Sequence, residues 1–141
     1  MNKCGFRFND KKYSFKTAKD TYLNALRVLK KNCPTLYEVL NRDLNTGHVG
    51  YFVKNPDDIY KSSPKLADKD GNIEKLEDGW YTSTILSNKQ KEALIMYACS
   101  ISKVNYLYDL EIWFDGGNNK YTPISKEEAE IELDRMLKGF L

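Results

Sequence analysis

One histidine and three cysteines are the residues best suited to chemistry, and their spacing argues against a catalytic or metal centre. His48 is far in sequence from Cys4 and Cys99, and the nearer Cys33 precedes a proline. A cysteine nucleophile needs a base that forms its thiolate, and a structural zinc ion needs four nitrogen or sulfur ligands in close pairs. We therefore expect His48 to be a solvated loop residue, and Cys33 and Cys99 to be small buried apolar side chains.

Two acidic stretches share only the first positions of metal-binding patterns. Residues 68–72 match the start of an EF-hand calcium loop, but Ile73 and Gly79 stand where that loop needs glycine and glutamate. Pro56 and Asp57 are similar to the start of a restriction-type nuclease core, yet no later acidic residue has lysine two positions on. The chain also has no glycine-rich phosphate loop. We assign no catalytic residue, no metal ligand and no cofactor.

Charge is distributed unevenly along the chain. Residues 1–31 hold nine lysines and arginines against two aspartates, whereas residues 105–141 hold four basic and eight acidic residues. Aromatic and cationic residues alternate in the basic stretch, and such a surface can stack bases and neutralise phosphates. Under this interpretation the nucleic-acid contacts are Arg7, Lys11, Lys12, Lys16 and Lys19. The alternative is a sheet whose aromatic residues face the core and whose lysines face solvent.

Aromatic residues make up 13% of the chain and include ten tyrosines and two tryptophans. Tyrosine and tryptophan are favoured at protein interfaces, where they are enriched among the residues that contribute most to affinity. We do not expect one small core to hold all of these residues, and the excess predicts a surface for a protein partner. The residues of this predicted surface are Tyr51, Tyr60, Trp80, Tyr81, Tyr106 and Tyr108.

The elements that must position these residues follow from hydrophobic periodicity. Alternation over residues 6–8 and 12–15, around a polar turn, predicts a β-hairpin. An apolar stripe between about residues 17 and 31 predicts an amphipathic helix, and Pro34 suits the first position of a second one. Residues 51–53 are predicted to form a strand.

The second half of the chain alternates between strands and capped helices. Residues 80–85 are β-branched and aromatic, and residues 110–114 are similar, so both predict strands. Helices are expected to begin at Ser87 and Ser125, since each serine is followed three residues later by the glutamine or glutamate of a capping box. Residues 62–79 are expected to form an exposed, irregular excursion.

These elements give the order ββααβ(α)βαβα within one α+β domain spanning residues 1–141. We expect a single sheet of four or five mainly antiparallel strands, with about four helices packed mainly on one face. The composition is globular, with 41% hydrophobic and 30% charged residues. Apolar runs are too short to cross a membrane and no signal-peptide core follows the N-terminus, so we expect a cytoplasmic protein. Three widely spaced cysteines fit that reducing compartment.

Residues 79–88, the helix after them and the strand at 109–112 follow a pattern found in small bacterial α+β modules. The opening hairpin and its following amphipathic helix belong to the same pattern. The chain thus resembles modules that are attached to restriction-type or other defence-related proteins. The resemblance covers most of residues 5–114 and carries no functional residues with it. A composition rich in lysine, asparagine, tyrosine and isoleucine also suits a bacterial or phage genome that is rich in A and T.

The sequence favours a non-catalytic binding or accessory domain whose partner is another protein, a second copy of the chain included. The alternative is an accessory module that binds nucleic acid through the basic N-terminal hairpin and first helix. A third possibility is an enzyme whose site has no familiar motif.

Overall fold

A computed structural model describes residues 4–46, 49–68, 71–115 and 120–138, and within them it contains four α-helices and six strands. The helices are α1 (Ala18–Asn32), α2 (Leu36–Leu44), α3 (Asn88–Ser102) and α4 (Lys126–Leu137). The strands are β1 (Cys4–Phe8), β2 (Lys11–Phe15), β3 (Phe52–Val53), β4 (Ile73–Lys75), β5 (Tyr81–Ser83) and β6 (Leu110–Phe114). Short 3₁₀ turns occupy Pro56–Asp58, Pro64–Asp68 and Glu77–Gly79.

The strands form two antiparallel sheets of three, with orders β2-β1-β6 and β3-β5-β4. In the first sheet, Phe6 lies opposite both Tyr13 and Ile112. In the second, Thr82 lies opposite both Phe52 and Glu74. The predicted α+β class is confirmed, but the single sheet is wrong. Alternation shows which residues are extended, whereas the pairing of strand edges depends on contacts that are distant in sequence.

The stretch at 62–79 is more ordered than its sequence predicts. It supplies β4, the third strand of the second sheet, and places the buried side chain of Leu76 in the main core. β4 is only three residues long and lies among aspartate, lysine and glycine, so no periodic pattern marks it. The prediction of an irregular excursion was therefore wrong for residues 73–75.

α3 is the central helix of the fold. Six consecutive residues, 90–95, are buried, because α1 and β6 pack on one part of its surface and α4 on another. α1 contributes the stripe of Tyr22, Leu26 and Leu29 to the main core, where each is fully buried. No helix in the described part of the chain is long and apolar enough to cross a membrane.

The predicted starts of α1, α3 and α4 are confirmed, whereas α2 begins at Leu36 and Pro34 lies in the turn before it, so the placement of Pro34 at the first helical position was wrong. Ser87 and Gln90 form a reciprocal capping box at the start of α3, and Ser125 and Glu128 form another at the start of α4. Thr17 caps α1 by accepting a hydrogen bond from the backbone of Asp20. These caps satisfy amide groups that have no partner inside the helix, so local sequence alone decides where each helix begins.

Removal of a capping hydroxyl should destabilise the protein. Ser87→Ala and Ser125→Ala should each lower the free energy of unfolding by about 1 kcal/mol, because each leaves a helical N–H without its acceptor. Thr35→Ala is the matched control, since Thr35 precedes α2 without making a side-chain capping bond. Urea denaturation measures the effect, and equal midpoints for Ser87→Ala, Ser125→Ala and wild type would contradict the role given to these caps.

Candidate functional site

Two of the five candidate nucleic-acid contacts are engaged within the fold. The guanidinium of Arg7 donates hydrogen bonds to the backbone oxygens of Leu107, at 2.7 Å, and Tyr108, at 3.2 Å. The ammonium of Lys19 lies 2.9 Å from the carboxylate of Glu74 in β4. Arg7 and Lys19 thus hold neighbouring segments in place and have less capacity to bind phosphate.

The positive charge of α1 is largely balanced by the segment around β4. Beyond the Lys19–Glu74 pair, Lys30 lies 2.9 Å from Asp78, and Arg27 lies 3.6 Å from Glu77. The Lys30 ammonium holds the pKa of Asp78 below its usual value through a hydrogen bond and through its charge. The acidic partners of α1 are therefore residues 74–78, and not the acidic last helix.

Lys11, Lys12 and Lys16 are exposed, and none has an ion pair within the described residues. The aromatic residues between them, Tyr13 and Phe15, are half-buried. Phe6 is fully buried, and its ring stacks on Tyr13 at 4.8 Å. The hairpin therefore presents cations to solvent and aromatic rings to the core, and lacks exposed rings for stacking bases.

Half of the predicted aromatic partner surface lies inside the protein. Tyr51, Tyr60 and Trp80 are buried, so these three side chains are not on the surface of this structure, although the six residues do not all fit the core. Their polar atoms have partners: the Tyr51 hydroxyl donates to Met136 O at 3.3 Å, and the Tyr60 hydroxyl bonds to Ser83 Oγ at 2.8 Å. A tyrosine enters a core readily when its hydroxyl is satisfied in this way.

The remaining three aromatic residues differ in exposure. Tyr81 and Tyr106 are half-buried, whereas Tyr108 is 81% exposed. Beside Tyr108, Leu107 is 59% exposed and has a φ of 79°, a conformation that strains a non-glycine residue. The bonds from Arg7 to the carbonyls of both residues hold this apolar tip in place.

A buried carboxylate joins three parts of the chain. Glu92 in α3 is fully buried, and it accepts hydrogen bonds from the Tyr106 hydroxyl at 2.6 Å and the Tyr121 hydroxyl at 2.7 Å. The backbone N–H of Ile124 donates a third bond at 3.1 Å. Burial, together with the nearby Glu92 charge, raises the pKa of Tyr106 and Tyr121. All three donors serve structure, because they fix the segments that lead into β6 and α4.

A groove with an apolar floor runs between α3 and α4. Its volume is about 460 Å³, and the residues that line it are Ala93, Met96, Tyr97, Ser100, Lys126, Ala129, Glu130, Leu133, Asp134 and Leu137. Leu137, at one end of the apolar floor, is 44% exposed. The sequence places Leu133 and Leu137 on the apolar stripe of α4, but it does not show that α3 leaves part of this stripe uncovered. This α3–α4 groove is the candidate functional site.

No group of three or more metal-ligating side chains occurs within the described ranges. Cys4 and Cys99 are buried thiols, Cys33 is half-buried, and burial raises the pKa of Cys99 to about 12. His48 and part of the loop at 68–72 lie outside the described residues. Comparisons of the chain with models of protein families, with curated protein sequences and with solved structures find no match.

The buried tyrosines should make the protein sensitive to alkali. The folded state holds the pKa of Tyr106 and Tyr121 above 10.0, so it favours their neutral hydroxyls. The resulting stability is fully present below the unfolded-state pKa of about 10, and it is lost as the pH rises towards the folded-state values. We expect the urea midpoint to fall above pH ~10, and Tyr121→Phe to lessen that fall.

Tyr108→Phe is the matched control for this titration, because Tyr108 is exposed and its hydroxyl has no buried carboxylate beside it. Urea midpoints between about pH 8 and 12 test the expectation, with tyrosine ionisation followed by ultraviolet absorbance. A midpoint that stays constant over this range would show that Tyr106 and Tyr121 are not held neutral by the fold.

Proposed function

We propose that the chain is a protein-binding module that receives an amphipathic, basic helix of a partner in the α3–α4 groove. The observation that carries this proposal is the apolar floor formed by Met96, Leu133 and Leu137 between two helices. Helix-in-groove recognition uses such a floor to bury apolar side chains spaced three and four residues apart. The length of the groove, set by two helices of 15 and 12 residues, suits a partner helix of a few turns.

Acidic residues on α4 beside the groove favour a basic partner, and one cation, Lys126, also lines the groove. Glu130 lines it, Glu127 lies one turn away on α4, and neither has an ion pair among the described residues. Across the groove, the Tyr97 hydroxyl donates to the Asp43 carboxylate at 2.5 Å. Asp43 is also paired with Arg42 at 2.9 Å, so lysine or arginine on the flanks of the partner helix would complement Glu127 and Glu130 and accelerate association.

The lining of the groove supports docking better than catalysis. The residues that line it include no cysteine and no histidine. The lining contains one serine, Ser100, whose hydroxyl donates a hydrogen bond to Tyr97 O at 2.6 Å. The two carboxylates, Glu130 and Asp134, lie on the rim, and Asp134 pairs with Lys138 at 2.8 Å. This arrangement offers a hydrophobic contact with a polar margin, as protein interfaces do.

Photo-crosslinking from the groove tests the proposal. Benzoylphenylalanine at the exposed position of Ser100 should form a polypeptide adduct in cells of the native host. Leu137→Asp should reduce the adduct about tenfold, because it places a charge at the apolar floor. Ile131→Asp is the matched control on the same helix, since Ile131 is 53% exposed and does not line this groove. Equal losses for the two variants, or no adduct, would refute the proposed site.

A second candidate function is nucleic-acid binding through the hairpin, which the exposed, unpaired Lys11, Lys12 and Lys16 favour. Because the aromatic rings point inwards, only charge remains to bind the phosphates, and we expect weak contact. Mixed-sequence oligonucleotides, single-stranded or duplex, should bind no tighter than about 10 μM near physiological salt, weaker than typical specific sites. Fluorescence anisotropy measures this affinity. Sub-micromolar binding that is lost in the Lys11→Glu, Lys12→Glu, Lys16→Glu variant would reverse the order of the two candidates.

A further inference from the structure

We propose that a cleft at the N-terminal ends of α1 and α3 binds the phosphate group of a small phosphorylated molecule. The cleft has a volume of about 420 Å³, and its lining includes Cys4, Lys16, Ala18, Asn88, Lys120 and Tyr121. It lies apart from the α3–α4 groove, because the two share no lining residue. The proposal therefore stands independently of the protein-binding function.

The central observation is a buried cation behind the lining of this cleft, bonded to the lining residue Asn88. Lys91 in α3 is only 8% exposed, and its ammonium donates one long hydrogen bond, of 3.5 Å, to Asn88 Oδ1. No carboxylate within the described parts of the chain lies at ion-pair distance from it. A buried ammonium without a counterion costs free energy, and an anion in the adjacent cleft would offset that cost.

The surroundings of Lys91 are also positive. Lys16 and Lys120 are exposed at the lining of the cleft, and neither is ion-paired in the described structure. The ammonium of Lys19 is nearby but is held by Glu74. Burial lowers the pKa of Lys91, the Cys4 thiol acts in the opposite direction, and the charge of Lys19 lowers it further. Asp115, whose charge raises the pKa of the Cys4 thiol, accepts a hydrogen bond from the Tyr121 backbone at 2.9 Å.

Two helix ends add to this field. Ala18 is the first residue of α1 and Asn88 the first of α3, so both helices direct their partly positive N-termini at the cleft. Three ammonium groups and two helix ends suit a doubly charged phosphate monoester better than a singly charged carboxylate. Because Lys91 lies below the surface, the phosphate must enter the cleft, which a small molecule does more readily than a polymer backbone.

Titration of the full chain with inorganic phosphate tests the proposal, with binding followed by two-dimensional NMR at constant ionic strength. We expect saturable shifts at the amides of Ala18 and Asn88. Lys91→Met should weaken the apparent affinity at least about tenfold, since a positive charge behind the lining of the cleft is lost. The same variant should raise the melting temperature without phosphate by about 3 °C, because it removes an uncompensated buried charge. Lys16→Met is a second variant, at an exposed residue of the lining, and it should also weaken phosphate binding.

Lys31→Met is the matched control, since Lys31 is exposed near the opposite end of α1 and should leave the titration unchanged. Amide chemical-shift changes that grow linearly with phosphate concentration, or that persist in the Lys91→Met variant, would overturn the proposal. A lower melting temperature for Lys91→Met would also overturn it, because Lys91 would then stabilise the fold directly. A single-stranded oligonucleotide is the second arm: binding stronger than that of inorganic phosphate, lost in Lys11→Met and Lys12→Met, would assign the cleft to a nucleic-acid surface instead.

Discussion

The fold depends on one buried carboxylate. Glu92 is the fifth residue of α3 and is fully buried, and a charge there is tolerated because three donors meet it. Tyr106 lies before β6, and Tyr121 and Ile124 precede α4, so each donor belongs to a segment that has little regular structure of its own. The position of α4, and with it the α3–α4 groove, therefore depends on hydrogen bonds and not on apolar packing alone.

The elements were predictable to the extent that their causes are local. Ser87 and Ser125 mark helix starts because the capping bond forms within four residues, and the first hairpin follows from alternation around a polar turn. The sheets were not predictable, because β1 pairs with β6 across about a hundred residues, and β4 is too short to show a period. Burial of Tyr51 also depends on distant partners, since its hydroxyl finds an acceptor at Met136.

The candidate sites likewise depend on contacts between residues that are distant in sequence. The sequence shows that lysines are numerous, but only the fold shows which of them form ion pairs. Lys19 and Lys30 pair with acidic residues more than 40 positions away in sequence. Lys91 carries no sequence signal at all, because an isolated lysine in a helix is ordinarily exposed. α3, which carries Lys91, packs chiefly against α1 and α4. The groove likewise lies between two helices, and the apolar stripe on α4 predicts only the side of the groove that α4 forms.

The position of β2 at the edge of the first sheet has a consequence for how copies of the chain behave at high concentration. An exposed strand offers unpaired backbone groups that can template pairing with another chain. β2 presents Lys11, Lys12 and Ser14 to solvent, so two copies that approach edge to edge bring like charges together. The lysines thereby disfavour extended intermolecular sheets, the first step towards fibrils, while the aromatic face of the same strand remains committed to the core.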